Sequence, residues 1–175
     1  MTAEIIAIGS ELLTPFFQDT NSLYLTEKLN ELGVEVAFKT VVGDNREHLT
    51  LAARVALGRA GILIFMGGLG PTEDDVTREC VAAALGREIH RDSEIITQLY
   101  TRFAKLRRKM PQNNERQADV IDGAEVLPNA MGSAPGQWIE REHEGAKRKP
   151  VSIAAFPCGC SPAVSCEQRS ASARS

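Results

Sequence analysis

The sequence predicts an α/β fold built on a mainly parallel sheet with helices on both faces. Three observations carry that expectation. Short runs at Glu4–Ile8, Val34–Gly43 and Gly61–Met66 have the unbroken apolar or β-branched character of strands. Each is followed by a stretch with apolar residues at helical spacing. Successive strand-helix units of this kind favour parallel strands joined by crossovers, which carry helices over the sheet.

Taken in order, EIIAI (Glu4–Ile8) ends at Gly9 and reads as a strand buried on both faces. DTNSLYLTEKLNELG then offers Asp19 as an N-cap, Leu25, Leu29 and Leu32 on one face, and Gly33 as the stop. VEVAFKTVVG is the second strand. DNREHLTLAARVALG is the second helix, with Asp44 as its cap and Leu49, Ala52, Ala53 and Ala56 facing inward. GILIFM is the third strand, and beyond a glycine-rich loop Thr77, Cys80, Val81 and Ala84 mark a helix closed by Gly86. A further helix from Ser93 carries Ile96, Leu99, Phe103 and Leu106 until Pro111 breaks the pattern. After it come a short helix, a strand near Glu125–Leu127, a loop rich in Gly, Ala and Pro, and a strand from Gln137 to Glu142. The polar HEGAKRKP then makes a hairpin turn into VSIAAF.

The chain of 175 residues has room for one domain of ordinary size. Lys and Arg number 20 against 23 Asp and Glu, and a net charge of −3 gives no electrostatic footprint for nucleic acid or a membrane surface. MTAEIIAIGS has no basic run before an apolar core, and no apolar run approaches a membrane span, so a cytoplasmic protein is expected. Cys80 stands alone, while Cys158, Cys160 and Cys166 crowd near the end, which is not a disulfide framework.

The stretch FMGGLGPTEDDVT, Phe65 to Thr77, places glycines directly before acidic residues. In open α/β sheets ligands sit beyond the carboxyl ends of the strands, where Gly67 to Gly70 lie. Glycines let several backbone N–H groups approach one phosphate. Glu73, Asp74 and Asp75 would repel that phosphate unless a cation lay between, and Mg²⁺ prefers a few carboxylate oxygens together with substrate phosphates. The other reading is a plain tight turn in which Asp74 caps the next helix. The stretch is neither a Walker A loop nor the dinucleotide fingerprint.

The order of FMGGLGPTEDDVT resembles the signature loop of the MoaB/Mog domain, the molybdopterin-binding fold. AIGSELLTPFFQDTNSLYLTEKLNELG is similar to the opening of the competence/damage-inducible protein CinA family, and VVGDN (Val41–Asn45) and NAMGSAPG (Asn129–Gly136) resemble further ligand-side loops of that family. The resemblance covers Met1 to about Phe156. It implies a three-layer α/β/α sandwich with a mainly parallel sheet and a pocket for a phosphorylated nucleotide or pterin. In CinA-type proteins the domain is associated with metal-dependent pyrophosphate cleavage of ADP-ribose, and in the Mog branch with adenylylated molybdopterin.

Carried over by position, Gly67, Gly68 and Gly70 are expected to donate backbone N–H groups to a phosphate, with Thr72 beside them. Asp75 is the first candidate for metal ligation or for orienting a water, and Asp74 the second. Asp44 matches another acidic position, with helix capping as its alternative role. Glu11 and Ser10 belong to the first loop, and Asn21 is either a hydrogen-bond partner of the ligand or a helix-start residue. Gly132, Ser133 and Gly136 complete the set; Ser133 is a contact rather than a nucleophile, since no histidine is motivated as its base. His48, His90 and His143 share no metal spacing. The basic run Arg102–Lys109 either attracts a phosphate or is a solvated helix end. Trp138 either stacks on a base or packs in the hairpin. The expected cofactor is a divalent metal, Mg or Co, and the expected partners are a phosphorylated small molecule and further copies of the chain.

Two departures from the family pattern stand out. Pro15 replaces a glycine after GSELL. From about Ala154 the expected LPG-type loop gives way to FPCGCSPAVSCEQRSASARS, so residues 157–175 read as a disordered or frame-shifted tail after a domain of residues 1–156, with metal binding through C-x-C-x5-C as a further reading. The amidohydrolase domain of longer CinA proteins, which acts on nicotinamide mononucleotide, is absent from the sequence, and no deamidase activity is expected.

Overall fold

The computed structural model describes residues 2–130, 132–141 and 151–156, with Arg141 and 151–156 described by their backbone. Glu142, the last residue of the predicted strand, the predicted hairpin turn 143–150 and the predicted tail 157–175 lie outside the described residues. The elements run β1 (Thr2–Ile8), a 3-10 turn (Ser10–Leu13), α1 (Thr20–Glu31), β2 (Glu35–Val42), α2 (Arg46–Arg59), β3 (Ile62–Met66) and α3 (Thr77–Leu85). Then come β4 (Ile89–Arg91), α4 (Ser93–Lys105), a 3-10 segment (Gln112–Ala118), β5 (Asp119–Ile121), β6 (Glu125–Leu127), β7 (Gly136–Arg141) and β8 (Val151–Phe156).

The main sheet has the order β2-β1-β3-β8-β7-β6. β2, β1, β3 and β8 are parallel, and β7 and β6 add antiparallel pairings. The chain steps from β1 outward to β2 and then back across to β3. The carboxyl ends of β1 and β3 are therefore the switch point, where the loops diverge and leave a crevice.

Alternation along β1 divides the core into layers. Ala3, Ile5 and Ala7 pack with Ile64, Met66 and the α1 leucines Leu25 and Leu29. Ile6 and Ile8 face the other way, with Leu63 and Phe65, onto Leu49, Ala53 and Ala56 of α2 and Cys80 and Val81 of α3. Because side chains alternate across a strand, this partition establishes the three-layer α/β/α sandwich. A third cluster joins Ile95 and Leu99 of α4 to Met110, Ala118 and Val120.

Several expectations are corrected. Asn45, not Asp44, is the N-cap of α2: its side chain accepts from the His48 N–H, while the Asp44 carboxylate is held elsewhere. Asp74 does not cap α3, whose N-cap residue is Val76 with no side-chain bond. Leu32 and Leu106 occupy C-cap positions and are exposed, because each helix ends before completing the turn that would bring them inward. In α4 the buried isoleucine is Ile95 and Ile96 packs at the margin. β4 and β5 pair antiparallel although three residues are too short to show a period in the sequence.

One buried charge lies in the inner layer. Glu4 is 0% exposed, on the α2 side of β1, and its carboxylate accepts from Arg59 Nε (2.8 Å), Arg59 Nη2 (2.6 Å) and the Thr40 hydroxyl (2.8 Å). Arg59 also stacks over Phe38, 4.0 Å from the ring centroid. A paired, hydrogen-bonded carboxylate is tolerated inside; a stranded one is not. Arg59→Ala, which strands the buried Glu4 carboxylate, is expected to lower the urea midpoint of unfolding. Arg59→Lys is expected to recover only part of the loss, since an ammonium cannot reproduce the two-pronged contact.

Candidate functional site

β3 delivers the chain to Gly67 and Gly68, whose φ values of 103° and 64° lie where an L side chain is strained. The turn is fixed from α3. Buried Thr77 donates its hydroxyl to the Gly67 carbonyl (2.8 Å) and its N–H to the Gly68 carbonyl (3.1 Å). A Cβ on Gly68 would run into the Thr77 hydroxyl oxygen. Between them Leu69 points into the core and pins the turn to the sheet.

The acidic half folds back on the glycine half. Asp75 Oδ2 accepts from the Thr72 N–H (2.9 Å) and the Thr72 hydroxyl (2.5 Å), while the Asp75 N–H donates to the Thr72 carbonyl (3.2 Å). The same oxygen leans over Gly70, where a Cβ would stand 2.5 Å from it. Asp75 Oδ1 accepts no hydrogen bond among the described residues. Glu73 and Asp74 are exposed beside it.

Two arginines that sequence reasoning missed hold this loop from the protein side. Arg78, in the first turn of α3, donates from Nη1 to the Leu69 carbonyl (2.7 Å) and from Nη2 to the Gly70 carbonyl (2.9 Å). Burial pulls its guanidinium below its ordinary value, opposed by Glu79, Asp119 and Asp75 and reinforced by Arg116. An arginine nonetheless stays charged at neutral pH. Arg116 donates to the carbonyls of Thr72 and Asp75 and pairs with Glu79 at 2.7 Å. Arg78 adjoins a quoted signature, but nothing in the sequence connects Arg116 to Thr72 across 44 positions.

The remaining predicted residues form two further groups. Ser10 and Asp44 bond reciprocally: the Ser10 N–H donates to Asp44 Oδ2 (2.9 Å), and the Asp44 N–H donates to the Ser10 hydroxyl (3.1 Å). This ties the loop after β1 to the loop after β2. Glu11 folds over Gly9, and Asn21 stands half-buried in the first turn of α1, which Asp19 caps. No hydrogen bond joins Asp44 to the glycine loop among the described residues.

Gly132 and Ser133 line a cleft of about 680 Å³ against α4, together with Gln98 and Arg102, and none of residues 67–77 forms its wall. Arg102 donates to the Gly132 carbonyl (2.7 Å), so one member of the basic run secures this loop. Gly136 opens β7 on the same side of the sheet as the end of β8, because Gln137 pairs with Ala155. All three groups thus lie at the carboxyl-end rim without merging into one contact network. Trp138 sits in the hairpin strand, opposite Glu125 and Ala154.

A family profile described as probable molybdopterin binding domain matches residues 4–166. The chain belongs to that family. It is 64% identical over 148 residues to a CinA-like protein of Koribacter versatilis, covering 85% of this chain and 36% of that protein. It is 59% identical over 157 residues to a CinA-like protein of Acidobacterium capsulatum, covering 90% and 38% respectively. The chain therefore spans little more than a third of the length of these curated relatives. Among solved structures, the protein CinA with unknown function from Thermoplasma acidophilum superposes with a TM-score of 0.80 at 24% identity, over 99% of this chain and 96% of that one. A putative molybdenum cofactor biosynthesis protein from Corynebacterium diphtheriae gives 0.62 at 15% identity, over 99% and 93%. At these identities the structures establish the fold of this family member and no more. No described helix is long and apolar enough to cross a membrane.

The donors around the turn bear on a metal. Among the described residues no three His, Cys, Asp or Glu side chains are grouped to hold an ion. Asp75 Oδ1 and the exposed Asp74 are hard oxygen donors, a set that fits Mg²⁺ brought in with ligand phosphates rather than a closed protein cage. Two outcomes test the loop itself. Thr77→Val, which strands the Gly67 carbonyl, is expected to cost about 1 to 3 kcal/mol in thermal or urea unfolding. Gly70→Ala is expected to push Asp75 off Thr72, read as lost protection of the Thr72 amide in hydrogen exchange.

Proposed function

We propose that this domain binds a phosphorylated small molecule, a nucleotide or pterin, at the turn after β3 and hydrolyses a pyrophosphate linkage in it. ADP-ribose is the substrate to test first. The observation that carries the reading is the Asp75 carboxylate braced across Gly70, with one oxygen taken by Thr72 and the other unbonded among the described residues. A glycine turn that a phosphate can approach closely and an oriented carboxylate then share one place.

In this reading Gly67, Gly68 and Gly70 offer close backbone approach to a phosphoryl group. Asp75 orients the attacking water and takes its proton as the water oxygen bonds to phosphorus and the bridging P–O bond breaks, giving AMP and ribose phosphate. Mg²⁺ or Co²⁺, held through Asp75 and Asp74, supplies charge neutralisation on the phosphoryl oxygens when bound. Ser10, Glu11, Asp44 and Asn21 meet sugar oxygens from the neighbouring loops, and Gly132 and Ser133, which line a separate cleft against α4, meet only a ligand that spans the rim. Assembly into a homo-oligomer belongs to the same proposal and is read by light scattering.

A second reading, binding without turnover, is favoured by the commitment of Asp44 to Ser10, which removes a third carboxylate from the turn. Turnover of ADP-ribose by the purified chain with Mg²⁺ or Co²⁺, abolished by chelator, is expected for the hydrolase. Asp75→Asn keeps an oxygen to accept from Thr72 and removes the base, so turnover is expected to fall by about 100-fold or more with folding intact. Measurable affinity for ADP-ribose with no hydrolysis in the wild type would establish the second reading instead.

A further inference from the structure

Arg78 is an anomaly that the reading above does not use. It is 2% exposed, yet it enters none of the ion pairs among the described residues. Among the described residues its only hydrogen-bond partners are the carbonyls of Leu69 and Gly70, and its buried Nε has no partner there. The nearest acidic side chain in sequence, Glu79, gives its bonded oxygen to Arg116. Glu79, Asp119 and Asp75 favour the Arg78 charge from nearby, and the second Glu79 oxygen is itself buried without a partner, but among the described residues no carboxylate bonds to Arg78. A buried cation bonded only to carbonyls is costly unless an anion completes it.

The peptide geometry says where that anion would sit. In a trans peptide the carbonyl and the following N–H point in opposite directions. Arg78 draws the Leu69 carbonyl toward the interior, so the Gly70 N–H faces away from it, and among the described residues that N–H donates to nothing. The Gly70 carbonyl is drawn in as well, and Pro71, which follows, has no N–H to misdirect. Arg116 treats the Thr72 carbonyl likewise, which turns the Glu73 N–H outward.

We propose that Arg78 is a positioning residue for phosphate: from behind the turn it aims the Gly70 N–H outward and supplies positive charge that a phosphoryl group on the outer side complements. This rests on the phosphoryl-ligand reading of the same loop and goes beyond it by naming the residue through which the loop acts. It also accounts for a loop rich in acids still accepting an anion, since the cation lies beneath the backbone and the carboxylates stand at the rim.

The test uses inorganic pyrophosphate as the probe, with binding followed by calorimetry and by the ¹⁵N–¹H resonance of Gly70. In the wild type, pyrophosphate is expected to bind and to move the Gly70 amide downfield, the signature of a new charged acceptor. Arg78→Gln is expected to weaken binding by about tenfold or more. Arg78→Lys, which keeps the charge and loses the fork, is expected to fall between, a graded rescue that a purely structural role would not give. If Arg78→Gln does not fold, Arg78→Lys and the Gly70 resonance decide. Pyrophosphate binding by a folded Arg78→Gln within about twofold of wild type, or a Gly70 amide that pyrophosphate leaves unmoved, overturns the inference and leaves the phosphate-loop reading standing. A wild type that does not bind pyrophosphate overturns that reading and the inference with it.

Discussion

The pair of hydrogen bonds from Thr77 to the carbonyls of Gly67 and Gly68 sets the path of the chain as it leaves β3, and the rest of the site depends on that path. With both carbonyls turned back onto α3, the glycines must take positive φ, and no side chain fits at Gly68. The loop then has to return within a few residues to start α3, and Pro71 and the Thr72–Asp75 closure make that return. Asp75 reaches its place over Gly70 because the turn is this tight.

Satisfaction of buried polar groups is the thread that joins fold and site. A turn at the end of a buried strand carries carbonyls that water reaches poorly, and here side chains from the inner face take them: Thr77 and Arg78, with Arg116 holding the exposed Thr72 carbonyl. The consequence is directional, since carbonyls drawn inward leave N–H groups facing out. Outward-facing N–H groups at such a loop are thus a by-product of how its carbonyls are solvated by protein. The same rule governs Glu4, buried in the middle of β1 and made tolerable by Arg59 and Thr40.

The sandwich fold places the four predicted loops on one rim, in three groups whose contacts differ in kind. The loops after β1 and β2 are tied by Ser10 and Asp44, the loop after β3 is tied to α3 and to Arg116, and the loop before β7 is tied to α4 through Arg102. Each is braced by a different element, so a ligand spanning the rim would touch three independently supported surfaces. That arrangement lets one fold accept ligands of different shape by changing one loop at a time.

The sequence by itself determined the parts governed by local pattern. The strands predicted at Glu4–Ile8 and Gly61–Met66, the Asp19 cap, Leu25 and Leu29 on the buried face of α1, Leu49, Ala53 and Ala56 on that of α2, and the glycine turn follow from residue order, because burial period and backbone freedom are properties of neighbouring residues. Tertiary structure decided what depends on distant partners. Asp44 and Asn45 are both capable caps, and Ser10, 34 positions away, determines which carbonyl-bearing side chain is free for α2. The three-residue β4 and β5 exist only through their pairing. Arg78 reads in sequence as one more charged residue on a helix; only the packed fold puts it beneath the loop, because burial and its electrostatic consequence arise where separate segments meet.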